Sequence, residues 1–108
     1  GDITCTRELT DEQVNGDYEL ETGIQITDAY QDRDPKAAPM VIVAGHAPFT
    51  WGKDAAQSVY HAALLEEIAR MAYLTRTLDP HAAELKKAVM DKHYLRKHGK
   101  NAYYGQSK

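Results

Sequence analysis

The apolar positions of this sequence change their spacing from one segment to the next, which predicts both strands and helices. Residues 40–44 form an uninterrupted apolar run, rich in β-branched side chains, between a proline and a glycine. Such a run is typical of a buried strand. Residues 3–6 predict a second, short strand. Residues 31–39, rich in Asp, Pro and Ala, predict a loop before the buried strand.

Helical spacing dominates the rest of the chain. Thr10 and Asp11 are both candidate N-caps, and a helix is predicted over residues 17–30. The longest helix is predicted over residues 54–78, where apolar positions recur at intervals of three and four. This apolar face comprises Val59, Leu64, Leu65, Ile68, Met71, Ala72 and Thr75. A last helix is predicted over residues 81–98, with Gly99 as its C-terminal cap. Strands and helices in this order imply α/β or α+β layering.

The net charge of −3 conceals a division of the chain into an acidic part and a basic part. Residues 1–84 carry 6 basic and 15 acidic side chains, whereas residues 85–108 carry 7 basic and 1 acidic, so the two parts have net charges of −9 and +6. A basic segment of this kind attracts phosphate on a small molecule or a nucleic acid. A solvated helix face, with cations near the helix C-terminus, explains the same charges equally well.

Length and composition limit the class of protein. The 108 residues fit one domain, and 43% hydrophobic with 27% charged residues is typical of a soluble globular protein. No apolar run approaches the roughly 20 residues that cross a bilayer, so we expect no membrane span. The single cysteine, Cys5, cannot form an internal disulfide, which predicts a cytoplasmic location.

The first candidate for chemistry is His46, which follows the predicted strand within the sequence Gly-His-Ala-Pro-Phe. Imidazole is the commonest metal ligand in proteins, and a turn beside glycine and proline could direct it into a site. A histidine hydrogen-bonded within the turn is the alternative. No His-x-His or Cys-x-x-Cys accompanies His46, and Cys5 is expected to be a small buried hydrophobic side chain.

The second set of candidates lies in the basic segment. His93 and Arg96 share one helix face, and an arginine can bind phosphate through two parallel hydrogen bonds. Tyr103 and Tyr104 follow the helix. A tyrosine hydroxyl can serve as a general acid or base. The pair could equally pack against a neighbour as an apolar clamp, or stack on nucleotides.

Five segments of the sequence carry a resemblance to a known family. They are residues 1–7, 15–19, 21–23, 45–53 and 91–106. Together they resemble the L-ribulose-5-phosphate 4-epimerases of the class II aldolase/epimerase superfamily, over nearly the whole chain. The last segment is characteristic of the epimerases rather than of the sugar-phosphate aldolases. The resemblance implies an α/β fold, with three α/β/α layers and a mainly antiparallel central sheet, of which residues 1–108 would form the C-terminal half.

The resemblance also assigns roles to individual residues. His46 matches the third zinc-ligand histidine of the family, and Ala47 stands where the family more often has glycine. Tyr104 matches the tyrosine that acts as acid or base at the epimerised carbon. His93 and Arg96 match residues near the site, His93 as a catalytic residue and Arg96 as a residue that binds the substrate phosphate. These three would reach the site of an adjacent subunit.

The implied activity is the zinc-dependent interconversion of L-ribulose 5-phosphate and D-xylulose 5-phosphate, by retro-aldol cleavage and aldol addition, in pentose catabolism. The implied assembly is a homotetramer with no nucleic-acid or membrane partner. The remaining zinc ligands would precede Gly1, so residues 1–108 alone are expected to be inactive. Two alternatives remain open: a sugar-phosphate aldolase of the same superfamily, and a non-enzymatic module that binds nucleic acid through its basic segment.

Overall fold

A computed structural model describes residues 2–105, so Gly1 and Gln106, at the ends of two matched segments, lie outside the described residues. The chain divides into two compact units at the bond between Leu74 and Thr75. The elements in chain order are β1 (Thr4–Cys5), α1 (Asp11–Asn15), α2 (Tyr18–Ala29), β2 (Met40–Ile42), β3 (Pro48–Thr50), α3 (Ala55–Leu78) and α4 (Lys87–His98). No described helix is long and apolar enough to cross a membrane.

A mixed sheet in the order β1-β2-β3 forms the centre of the first unit. β1 pairs with β2 in parallel, with Thr4 opposite Val41, and β2 pairs with β3 in antiparallel, with Val41 opposite Phe49. The helices α1 and α2 lie in the connection between the two parallel strands, as a parallel pair requires. The α/β architecture is therefore confirmed, while the three layers and the mainly antiparallel sheet of the larger domain stay predictions.

Strand β3 is an element that the sequence analysis missed. The sequence analysis placed the residues after the buried run in a turn and predicted no strand there. Proline lacks the backbone donor of a ladder hydrogen bond, so it is rare inside strands. In the structure Pro48 is the first residue of β3 and pairs with Ile42, the last residue of β2. The position at the end of the ladder explains why the proline is tolerated there.

The buried side chains of the described residues are few. The hydrophobic ones are Met40, Val41, Val43 and Leu65, which confirms the predicted burial of the β2 segment. The predicted apolar face of α3 is mostly not covered, because Val59 is 70% exposed and Leu65 is the one described α3 residue that is buried. A helix of 24 residues is about 36 Å long, whereas strands of three residues are about 10 Å long, so this sheet can cover only a small part of it.

Local capping explains where the helices begin and end. Thr10 caps α1 in a reciprocal capping box with Gln13, as predicted, and Asp17 caps α2. The last helix begins at Lys87 rather than at residue 81. Asp79 accepts a hydrogen bond from the backbone nitrogen of His81 at 3.0 Å, and this turn competes with a helical start.

Gly99 is the C-cap of α4, as predicted. Its backbone nitrogen donates to the carbonyl oxygen of Leu95 at 2.7 Å. A Cβ at this position would lie 2.4 Å from the same oxygen, so close approach of the backbone, rather than a left-handed conformation, favours glycine here.

Candidate functional site

His46 lies in the short loop that joins β2 to β3. Two backbone hydrogen bonds close this loop, from the nitrogen of Val43 to the oxygen of Ala47 and from the nitrogen of His46 to the oxygen of Val43, both at 3.1 Å. Gly45 occupies the left-handed region with φ of +69°, where glycine is favoured. The backbone on both sides of His46 is therefore fixed by the hairpin itself.

The loop is also attached to the residues after β1. The backbone nitrogen of Ala44 donates to Oγ1 of Thr6 at 3.2 Å. Thr6 is buried, and its backbone nitrogen donates to the oxygen of Ile42 at 2.9 Å. Because Thr6 contacts both the strand and the loop, the position of the loop relative to the sheet is determined by hydrogen bonds to β1 as well as within the hairpin.

Two aromatic side chains surround the imidazole of His46. The ring of Phe49 stacks on it, with centroids 5.4 Å apart and an interplanar angle of 24°, and the ring of Tyr18 lies at 6.1 Å and 39°. The sequence analysis identified His46 but missed these neighbours. Its only signal for them was that Tyr18 and Phe49 both fall within matched segments.

The chemistry of His46 suits a metal ligand, but the described residues do not complete a metal centre. His46 is exposed, and within the described part of the chain neither of its ring nitrogens has a hydrogen-bond partner. Among residues 2–105 no three or more His, Cys, Asp or Glu side chains come together as a metal-binding group. Cys5, which was expected to be buried, is exposed. The described residues thus do not form a complete zinc site around His46.

The residues that follow His46 in its motif attach β3 to the first turns of α3 by hydrogen bonds and close packing. The side chain of Thr50 donates to the backbone oxygen of Ser58, and the side chain of Ser58 donates to the backbone oxygen of Thr50, each at 2.9 Å. The side chain of Gln57 accepts from the backbone nitrogen of Lys53 at 2.8 Å. A Cβ at Gly52 would lie 2.8 Å from the Cβ of Gln57, so this close packing requires glycine.

The other predicted site residues lie in the second unit, and the structure brings two of them into contact. After α4 the chain turns back, so that the backbone nitrogens of Tyr103 and Tyr104 both donate to the carbonyl oxygen of Arg96, at 3.0 and 3.2 Å. The guanidinium carbon of Arg96 lies 4.6 Å from the centroid of the Tyr104 ring, in the range of a cation–π contact. His93 lies one turn before Arg96 on α4.

Exposure distinguishes these residues from one another. Tyr104 is 57% exposed and Tyr103 is 75% exposed. His93 is exposed as well, whereas Arg96 is half-buried. Both tyrosines are therefore exposed on the second unit, and their packing against a neighbour stays a prediction.

A cavity of about 250 Å³ opens between the end of β1 and helix α2. Its lining residues are Cys5, Thr6, Arg7, Gln25, Asp28 and Ala29. None of the four predicted site residues lines it, so the cavity is separate from the predicted chemistry.

Residues 2–73 match the family model described as the class II aldolase and adducin N-terminal domain. The match covers more than half of the chain and includes the whole sheet, Tyr18 and His46. It ends before α4 and the segment that holds Tyr104. Proteins of this family are commonly enzymes, and class II aldolases typically depend on a divalent metal. The chain belongs to the class II aldolase and adducin domain family.

Proposed function

We propose that this chain is part of a zinc-dependent epimerase that interconverts L-ribulose 5-phosphate and D-xylulose 5-phosphate. The observation that carries the proposal is the contact between Arg96 and Tyr104. It places a candidate acid or base beside a cation, in a chain whose first unit belongs to the class II aldolase family. The match to residues 2–73 supports the superfamily, and the resemblance of residues 91–106 supports the epimerase branch.

The reaction inverts one carbon by breaking and re-forming a bond. The hydroxyl on carbon 4 of the ketose loses its proton, the bond between carbons 3 and 4 breaks, and an enediolate and glycolaldehyde phosphate result. The aldehyde then rotates, carbon 3 attacks its opposite face, and the new alkoxide takes up a proton. Because the oxygen points to opposite sides before and after rotation, one group on each face must exchange that proton. Tyr104 would serve one face.

His46 would bind the metal on which such an enediolate depends, as a Lewis acid stabilises the negative charge of the enediolate. Residues 2–105 bring together no group of three or more potential ligands. We therefore propose that residues 1–108 form the C-terminal half of a larger domain, whose other half contributes the remaining ligands and the acidic group for the second face of the aldehyde.

We further propose a homotetramer in which Tyr104, Arg96 and His93 reach the site of an adjacent subunit. Tyr104 is 57% exposed, which supports an arrangement in which a neighbouring subunit contacts it. The net charge of +6 over residues 85–108 would attract a phosphorylated substrate. The net charge of −9 over residues 1–84 opposes the alternative of a nucleic-acid ligand.

The second candidate function is an aldolase of the same superfamily that releases an aldehyde. The family match favours it because that match includes His46 but ends before Tyr104. Product analysis separates the two candidates. The epimerase yields D-xylulose 5-phosphate, whereas the aldolase accumulates free aldehyde phosphate and a second fragment.

The test uses the full-length protein that contains this sequence, with His46→Ala and Tyr104→Phe. His46→Ala is expected to lose both bound zinc and activity. Tyr104→Phe is expected to keep the zinc and to lose kcat by about 100- to 10,000-fold, the usual contribution of a general acid or base. The matched controls are His81→Ala and Tyr103→Phe, both at exposed positions, which are expected to retain activity. An active, zinc-containing His46→Ala variant would overturn the ligand assignment.

A further inference from the structure

The segment that holds Tyr104 makes two distinct contacts with one residue of α4. The carbonyl oxygen of Arg96 accepts hydrogen bonds from the backbone of Tyr103 and Tyr104, and its guanidinium carbon lies 4.6 Å from the centroid of the Tyr104 ring. The backbone contacts fix the path of the chain, and the side-chain contact restricts the ring. Arg96 is thus the residue through which both the main chain and the side chain of Tyr104 are attached to α4.

Burial distinguishes Arg96 from the other cations of this helix. Lys87, Lys92 and Lys97 are exposed, whereas Arg96 is half-buried. Tyr104, in contrast, is 57% exposed, so only part of its ring is restrained by packing. A catalytic hydroxyl displaced by about 1 Å can lose about 100-fold in rate, so a ring this exposed needs a specific restraint.

We propose that Arg96 is a positioning residue that holds the Tyr104 hydroxyl in place, rather than the main ligand of the substrate phosphate. This inference rests on the proposed epimerase function. A planar guanidinium stacks on an aromatic face in a way that a lysine ammonium does not, so lysine at this position would not reproduce the contact. The stacked guanidinium still has N–H groups at its edge, so kinetics must separate the positioning role from phosphate binding.

The kinetic test compares Arg96→Met and Arg96→Lys with the wild type in the full-length enzyme. A positioning role predicts that kcat falls about 10- to 100-fold in Arg96→Met while KM for the phosphorylated substrate stays nearly constant. Arg96→Lys is expected to recover little, because the charge returns without the stacking plane. Lys100→Met, which removes an exposed cation from the following turn, is the matched control and is expected to leave both constants unchanged.

A double-mutant cycle then asks whether Arg96 acts through Tyr104. If it does, Arg96→Met lowers kcat in the wild-type background but has little further effect in Tyr104→Phe, where the hydroxyl is already absent. Additive losses in the two backgrounds would overturn the inference. So would an Arg96→Met enzyme that keeps its kcat and shows a raised KM, which is the result expected for a phosphate ligand.

A measurement that does not depend on activity tests the geometry itself. The side-chain protons of Arg96 are expected to show upfield ring-current shifts in the NMR spectrum, and these shifts are expected to disappear in Tyr104→Leu but to persist in Tyr103→Leu. Unshifted protons in the wild type would overturn the inference whatever the kinetics show. A wild-type full-length protein that does not epimerise L-ribulose 5-phosphate would overturn the proposed function, even if the ring-current shifts are present.

Discussion

The loop that holds His46 and the segment that holds Tyr104 are built in different ways. The loop is closed by two backbone hydrogen bonds, joined to buried Thr6 and followed by strand β3, whose last residue is connected to α3. The Tyr104 segment is attached to α4 through Arg96, and its aromatic rings are largely exposed. The loop of His46 is built into a sheet, whereas the Tyr104 segment contacts helix α4 through Arg96.

The proposed roles of the two residues, metal ligand and proton-exchanging group, require different surroundings. A metal ligand must hold its direction relative to other ligands, and a hairpin within a sheet provides that rigidity. A proton-exchanging group that serves a neighbouring subunit must instead be accessible, and an exposed segment provides that. Apart from His46 itself, we expect substitutions in the first unit mainly to change stability, whereas we expect substitutions around Tyr104 mainly to change catalysis.

The largest expected effect on stability comes from Leu65, which is 3% exposed. Leu65→Ala is expected to lower the free energy of unfolding by about 2–5 kcal/mol, because it removes buried contacts and leaves a cavity. Urea denaturation followed by circular dichroism measures the change. Leu95, on α4, is 57% exposed, so Leu95→Ala is the matched control and should change stability by less than about 0.5 kcal/mol. Equal losses in the two variants would contradict the comparison.

A smaller effect is expected at Gly45, which precedes His46 and has φ of +69°. No atom lies within 4 Å of a Cβ added there, so Gly45→Ala is expected to cost about 1–2 kcal/mol through backbone strain alone. The same substitution at Gly23, inside α2 and also without a neighbour within 4 Å, is expected to stabilise by about 0.5–1 kcal/mol. Thermal denaturation of the two variants tests this opposite sign, and destabilisation by Gly23→Ala would contradict it.

Local patterns predicted most of the secondary structure because local interactions determine it. The buried run at residues 40–44, the N-cap at Thr10 and the C-cap at Gly99 all appear where they were expected. The predicted start of α4 was wrong because Asp79 forms a turn that the apolar spacing does not reveal. Strand β3 was missed because a proline at the end of a ladder has the same local sequence as a turn.

The sequence identified individual candidate residues of the site, but it did not predict which side chains contact each other in space. His46, His93, Arg96 and Tyr104 were identified from sequence, and their roles stay predictions. The positions of Phe49 and Tyr18 beside His46, and of Arg96 over the Tyr104 ring, depend on the path of the chain between them. Spacing alone cannot give that path, because a turn after Gly99 brings residues eight apart into contact in a way that helical periodicity does not describe.

In the proposed tetramer, His46 of one subunit and Tyr104 of its neighbour act together in one site. Co-expression of the full-length His46→Ala and Tyr104→Phe variants, each nearly inactive alone, tests it most directly. In randomly mixed tetramers roughly a quarter of the sites would combine an intact His46 with an intact Tyr104 from the neighbour, so epimerase activity should return to about that fraction of wild type. His46→Ala co-expressed with the double variant should stay inactive. Failure of the two single variants to restore activity in verified mixed tetramers would contradict the account.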